Sequence, residues 1–154
     1  MTPACRALDA AGIEYTLHPY EHDPSSTSYG DEAVAAIGVE PDRVFKTLMA
    51  LLDTDELVVA IVPVSSMLDL KALASALGTK RATMAPVALA EGSSGYVAGG
   101  ISPFGQRTPR RTAIDEIALA CDTIFVSGGR RGLDLELPPS QLISLLQATV
   151  ATLV

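Results

Sequence analysis

Residues Val44–Pro63 read VFKTLMALL, then DTDE, then LVVAIVP. Two apolar runs enclose four turn-forming residues, Asp53-Thr54-Asp55-Glu56, which is the pattern of a β-hairpin. Its strands must be antiparallel, so the sheet that contains them is antiparallel or mixed. The stretch from Leu57 to Val64 is the longest apolar run in the chain and contains Pro63. It is too short for a bilayer, which takes about 20 residues. Within the first run a single lysine, Lys46, interrupts Val44, Phe45, Leu48 and Met49.

Outward from the hairpin, strand and helix signals interleave without regular βαβ units. Thr2-Pro3 places an N-cap and a first-turn proline before a helix that Gly12 stops. Ile13, Tyr15 and Leu17 alternate with polar residues as a strand ending at Pro19. Asp23 to Gly30 reads as a polar loop, and Asp31 as the cap of a helix running through Ile37 to Gly38. Asp69 to Leu77 is a further helix, and Pro86 opens another that ends near Gly92. Gly95 to Gly105 is a glycine-rich loop. Thr112 to Asp115, Ile124 to Ser127 and Leu133 to Leu137 are short strands. Pro138-Pro139 starts a last helix running to about Ala148, and the apolar end after it packs as a strand, a helix turn or an oligomer contact. No repeat or linker divides the chain. The expectation is one α/β domain over residues 1–154.

The composition narrows the function. The chain has 154 residues, 48% of them hydrophobic, with 5% aromatic and no Trp. Disorder requires low hydrophobicity, and binding of single strands by base stacking requires aromatic platforms. The net charge of −7 argues against a nucleic-acid binder acting alone. The charge is uneven, however: residues 1–79 hold twelve acids and four bases, whereas residues 80–154 hold six acids and seven bases, all seven between Lys80 and Arg131. Cys5 and Cys121 form no CxxC and read as reduced thiols. The N-terminus has no apolar run of signal-peptide length, so the expected setting is cytoplasmic.

Five groups of residues can carry chemistry. Lys46 is either a snorkelling lysine on a solvated face or a cleft ammonium that binds a phosphate or carbonyl oxygen. Gly99-Gly100-Ile101-Ser102-Pro103-Phe104-Gly105 is an ordinary turn or a loop of bare N–H groups suited to an oxyanion. Ser127-Gly128-Gly129-Arg130-Arg131-Gly132 is neither a Walker A motif nor GxGxxG followed by a helix. It reads as a hairpin with solvated arginines, or as a wall that puts Ser127 and Asp134 at a cleft and the arginines near a polyanion. His18 and His22 invite a triad with Ser127 and Asp134, but no GxSxG elbow accompanies them, and no metal-ligand spacing such as HExxH occurs. Tyr20 and Tyr29 bracket the polar loop as pocket walls or as packing at its base.

Taken in order, Tyr20-Glu21-His22-Asp23-Pro24, Tyr29-Gly30-Asp31-Glu32, Val44-Phe45-Lys46-Thr47-Leu48, Leu68-Asp69-Leu70-Lys71, Gly95 to Pro103 and Ser127 to Asp134 resemble the YbaK/EbsC family. The similarity is strongest to its YbaK-type Cys-tRNA(Pro) deacylases, free-standing homologues of the editing domain of prolyl-tRNA synthetase. It covers Met1 to about Leu146. The resemblance implies a mixed, mostly antiparallel, partly barrel-like sheet with flanking helices. It implies trans-editing of tRNA(Pro) mischarged with cysteine, alongside prolyl-tRNA synthetase, with no cofactor, metal, DNA or membrane involved. A synthetase separates such similar amino acids by only about 1–3 kcal/mol, so a second site must remove the error. The resemblance assigns Lys46 the orientation of the ester. Tyr20, Tyr29, Thr47, Gly100, Ile101, Ser127 and Asp134 become substrate-binding positions, with Arg130 and Arg131 near the tRNA. It also implies that the substrate's own thiol attacks the ester. Deacylation of Ala-, Ser- or Thr-tRNA, or a non-catalytic tRNA- or synthetase-binding module, stand as alternatives.

Overall fold

The computed structural model describes all residues from Met1 to Val154. The strands are β1 (Thr16–Pro19), β2 (Phe45–Leu52), β3 (Leu57–Pro63), β4 (Ala82–Met84), β5 (Thr112–Asp115), β6 (Ile124–Arg130), β7 (Leu133–Leu137) and β8 (Thr149–Ala151). The helices are α1 (Pro3–Ala10), α2 (Tyr29–Ile37), α3 (Leu70–Ala76), α4 (Val87–Ser94) and α5 (Pro139–Leu146). One sheet has the order β1-β7-β6 and the other β4-β2-β3-β5-β8. Four of the six strand pairs are antiparallel, and β3–β5 and β5–β8 are parallel. A single parallel bridge, Val44 to Phe125, joins the two sheets. They wrap a shared interior as a partial barrel that does not close.

The unbroken apolar run of β3 is explained by burial on both faces. Leu57, Val59 and Ile61 enter the larger core with Phe45, Met49, Ile124, Val126 and Leu135 from both sheets. Val58, Ala60 and Val62 enter a second core under Leu73 and Leu77 of the α3 region. A strand covered on both sides has no reason to alternate. A third cluster seats Ala33 of α2 on Val44 and Phe125, where the sheets meet.

Several elements differ from the sequence reading. Helix α2 begins at Tyr29 rather than after Asp31, because Glu32 N–H already closes a turn onto the Ser28 carbonyl at 3.0 Å. Asp31 and Glu32 sit in its first turn, where carboxylates favour the positive end of the helix. Strand β6 runs past Ser127 to Arg130 through a bulge, so Ser127 to Gly132 is a bulged strand and a tight turn. Helix α4 continues to Ser94, where Gly95 takes the left-handed conformation. Helix α5 stops at Leu146 because Gln147 turns left-handed, and the chain end then forms β8. Strand β4 was not legible in the sequence.

Candidate functional site

Strand β2 is half-covered, and that creates the site. Val64 N–H donates to the Val44 carbonyl, and Leu52 N–H to that of Glu56. The even-numbered residues of β2 therefore exchange bonds with β3, and the odd-numbered ones turn their backbone groups to the opposite edge. There β4 covers only Ala50 to Leu52, with Ala85 N–H reaching the Met49 carbonyl at 3.1 Å. No ladder covers Thr47 on that side. A cleft of about 270 Å³ runs along this free edge, bounded by Tyr20, Tyr29, Lys46, Thr47, Ser127 and Asp134 among others.

Side-chain alternation distributes the roles on β2. Phe45 and Thr47 share the face of the larger core, and Lys46 and Leu48 the face turned to α2 and α3. The cleft lies along the strand edge, so both faces border it. Lys46 is half-buried and takes part in no ion pair; the molecule's four engage His18, His22, Arg43 and Arg111. The Thr47 hydroxyl is buried without a hydrogen-bond partner.

Asp134 of β7 stands opposite Ser127 of β6. It is only 6% exposed, and burial alone raises its pKa to about 7. Tyr20 is raised to about 12, first by burial and then by the charges of Asp134 and Glu32. The Ser127 hydroxyl accepts the Gly129 N–H at 3.2 Å across the bulge. The cleft thus sets an unpaired ammonium and a buried carboxyl among neutral polar groups.

The glycine loop after α4 is held in place at both ends. Ala98 N–H donates to Glu91 Oε2 at 2.7 Å, and the buried Tyr96 hydroxyl donates to the Phe104 carbonyl at 2.6 Å. Gly99 and Ile101 border the cleft. Gly100, expected there, is buried behind it instead: a Cβ on Gly100 would meet the Arg130 Cα at 2.8 Å, so this glycine packs on the bulged strand. Both cysteines are free and outside the cleft.

Both histidines are engaged elsewhere. His18 Nε2 lies 2.9 Å from Glu136 Oε1, and His22 Nδ1 lies 2.6 Å from Glu32 Oε1. Neither borders the cleft, so the triad of His18 or His22 with Ser127 and Asp134 does not assemble. Gly30, Ala33 and Val64 also line the cleft and were not singled out in the sequence. Gly30 is the second residue of α2 and packs closely on Val64. A Cβ there would lie 2.6 Å from Val64 Cγ1.

Comparison with known proteins follows this geometry. The model of the aminoacyl-tRNA editing domain family matches residues 22–145. The chain belongs to this family. The match spans every cleft residue except Tyr20, which lies just outside it. An Enterococcus faecalis protein named "Putative Cys-tRNA(Pro)/Cys-tRNA(Cys) deacylase EbsC" is 36% identical over 151 residues, covering 97% of this chain and 91% of that one. A solved structure described as "a putative trans-editing enzyme for prolyl tRNA synthetase" is 25% identical, with a TM-score of 0.83 over 99% of this chain and 98% of that one. APE2540, also of known structure, shares the fold at a TM-score of 0.88, with 24% identity and 98% of each chain covered. The YbaK/EbsC resemblance read from the motifs is thereby established. No helix is long and apolar enough to cross a membrane.

Proposed function

We propose that this editing domain removes cysteine from mischarged Cys-tRNA(Pro) in trans, with the terminal ribose and its ester lying along the free edge of β2. The observation that carries the reading is Lys46: an ammonium without a carboxylate partner, beside an acyl-sized cleft whose opposite wall is neutral or protonatable. Family membership and the name of the Enterococcus relative support the substrate class. A volume of about 270 Å³ sits below the 300–1,000 Å³ usual for drug-sized ligands and suits one small acyl group.

In this reading the reaction needs no protein nucleophile. The sulfur of the substrate cysteine bonds to the ester carbonyl carbon, and the bond from that carbon to the ribose oxygen breaks. The thiol proton ends on the ribose hydroxyl, leaving tRNA and a cyclic thioester. Lys46 holds the ester or the adjacent phosphate, and Thr47, Ser127 and the Gly99–Ile101 backbone orient the acyl group. Asp134 receives the α-ammonium or a ribose hydroxyl. Fixing a thiol beside its own ester can supply about 7–11 kcal/mol of the barrier.

At −7 the protein repels RNA at long range, so prolyl-tRNA synthetase, already holding the right tRNA in the cytoplasm, supplies specificity in a ternary complex. The test is a panel of Cys-, Ser-, Ala- and Thr-tRNAs, with and without the synthetase. Cys-tRNA(Pro) should be the fastest substrate. Equal rates on Cys- and Ser-tRNA(Pro) would exclude thiol attack. A preference for Ala- or Thr-tRNA would reassign the substrate, and binding without turnover of any would leave a tRNA-binding module.

A further inference from the structure

Arg131 and Arg130 are neighbours in sequence, but their surroundings differ. Arg130 is exposed, and its guanidinium bonds only to the carbonyl of Arg131, at 3.3 Å. The Arg131 guanidinium lies 4.9 Å from the centre of the Tyr29 ring, and its Nε donates to the Ala98 carbonyl at 2.9 Å. Ala98 precedes Gly99, whose φ is +84° and whose Cα presses on the same ring: a Cβ there would fall 2.8 Å from three ring carbons. Three segments distant in sequence, the start of α2, the glycine loop and the β6–β7 turn, therefore meet on Tyr29.

We infer that Arg131 is a positioning residue, and not a phosphate contact: it clamps the Tyr29 ring and the Ala98–Gly99 backbone together and so fixes the wall of the cleft. This rests on the deacylase reading for its effect on turnover. The planar fork of arginine suits the task, because one face can cover an aromatic ring while an N–H in the plane reaches a carbonyl. Lysine keeps the charge and loses the fork. A phosphate contact needs only the charge, so Arg131→Lys separates the two roles. Gly99 has a matching reason to be glycine, since any side chain there would displace the ring.

Arg131 is exposed, so its variants should fold, as an unchanged melting temperature would verify. With Cys-tRNA(Pro), Arg131→Gln and Arg131→Lys should both lower kcat about tenfold, with KM within twofold and the salt dependence of kcat/KM unchanged. Arg130→Gln should instead raise KM and flatten the salt dependence. A measurement without substrate comes from the Arg131 Nε–H resonance, which should exchange slowly and shift in Tyr29→Leu. Rescue of kcat by lysine, a flattened salt dependence in Arg131→Gln, or a freely exchanging Nε–H would overturn the clamp. If the unmutated protein deacylates none of the panel while the Nε–H behaves as stated, the deacylase reading fails and the clamp stands.

Discussion

Asp134 faces Ser127 across the β6–β7 pair, and both side chains border the cleft. Burial holds the Asp134 carboxyl near pKa 7, so at neutral pH it is poised between acid and carboxylate. An unfolded chain titrates its aspartates near 3.9. The folded chain therefore binds this proton more tightly, and its stability declines as pH rises from about 4 to about 7. Above that range the whole penalty is in place, on the order of a few kcal/mol at about 1.36 kcal/mol per pKa unit. Asp134→Asn should raise the melting temperature at pH 8 and change it little near pH 4. A carboxyl resonance titrating near 4 in the native protein would contradict this. If the carboxyl receives an ammonium, binding at pH 7 should release a proton, measurable by calorimetry in buffers of different ionisation enthalpy.

Lys46 has no partner to lose, so its removal should cost the fold little. Removing a charged contact in a preorganised site costs about 10²–10³ in rate. Lys46→Ala should therefore melt close to the unmutated protein and lose at least about a hundredfold in single-turnover deacylation. Retained tRNA binding in that variant would place the loss in the chemical step. Unchanged turnover would remove Lys46 from the site.

The hairpin, the α3 boundaries and strands β5 and β7 were legible because local signals agree with the tertiary environment: turn residues, Asp69 as an N-cap bonded to Ala72 N–H, and apolar runs. Lys46, Ser127, Asp134, Tyr20 and Tyr29 each stood in the sequence with a cleft reading beside an ordinary one, and only the motif resemblance favoured the cleft. Nothing local to Lys46 tells a snorkelling lysine from a cleft lysine, because that depends on where β4 stops along β2. Strands β4 and β8 were missed or left open because three residues carry no periodicity. Gly100 packs on the Arg130 backbone and does not line the cleft, and a glycine that admits a neighbouring backbone looks, in sequence, like one that admits a ligand.

Glu136 ties the smaller sheet to its surroundings. It lies 2.9 Å from His18 Nε2 and 3.4 Å from Arg43 Nη2, and it accepts the Thr123 hydroxyl. The Thr123 bond above all, then His18 and Arg43, hold its carboxyl below the usual range. That stabilisation is present above the unfolded glutamate pKa of about 4.3 and is lost as pH falls through the lower native value. Glu136→Gln should destabilise the protein by about 1–3 kcal/mol at pH 7. In denaturant titrations the difference should shrink towards pH 3. Turnover at 25 °C should persist, because Glu136 is not among the cleft residues.

Gly30 sets how closely α2 approaches the sheet. Alanine there would gain helix propensity, by less than the interior value of about 1 kcal/mol because Gly30 is the second residue of α2. Its Cβ, however, would lie 2.6 Å from Val64 Cγ1 and 2.9 Å from Val64 Cβ. Valine is stiff at χ1, so the collision is relieved chiefly by moving α2 outward. Tyr29 and Ala33 ride on that helix and line the cleft, so the cleft should widen. Gly30→Ala is expected to lower both melting temperature and deacylation rate. Val64→Ala removes Cγ1, the nearer of the two colliding atoms, and leaves Cβ at 2.9 Å, so the double variant should recover part of the rate lost by Gly30→Ala. A double-mutant cycle in activity measures this coupling directly. Additive losses would mean that α2 is positioned by contacts other than the one between Gly30 and Val64.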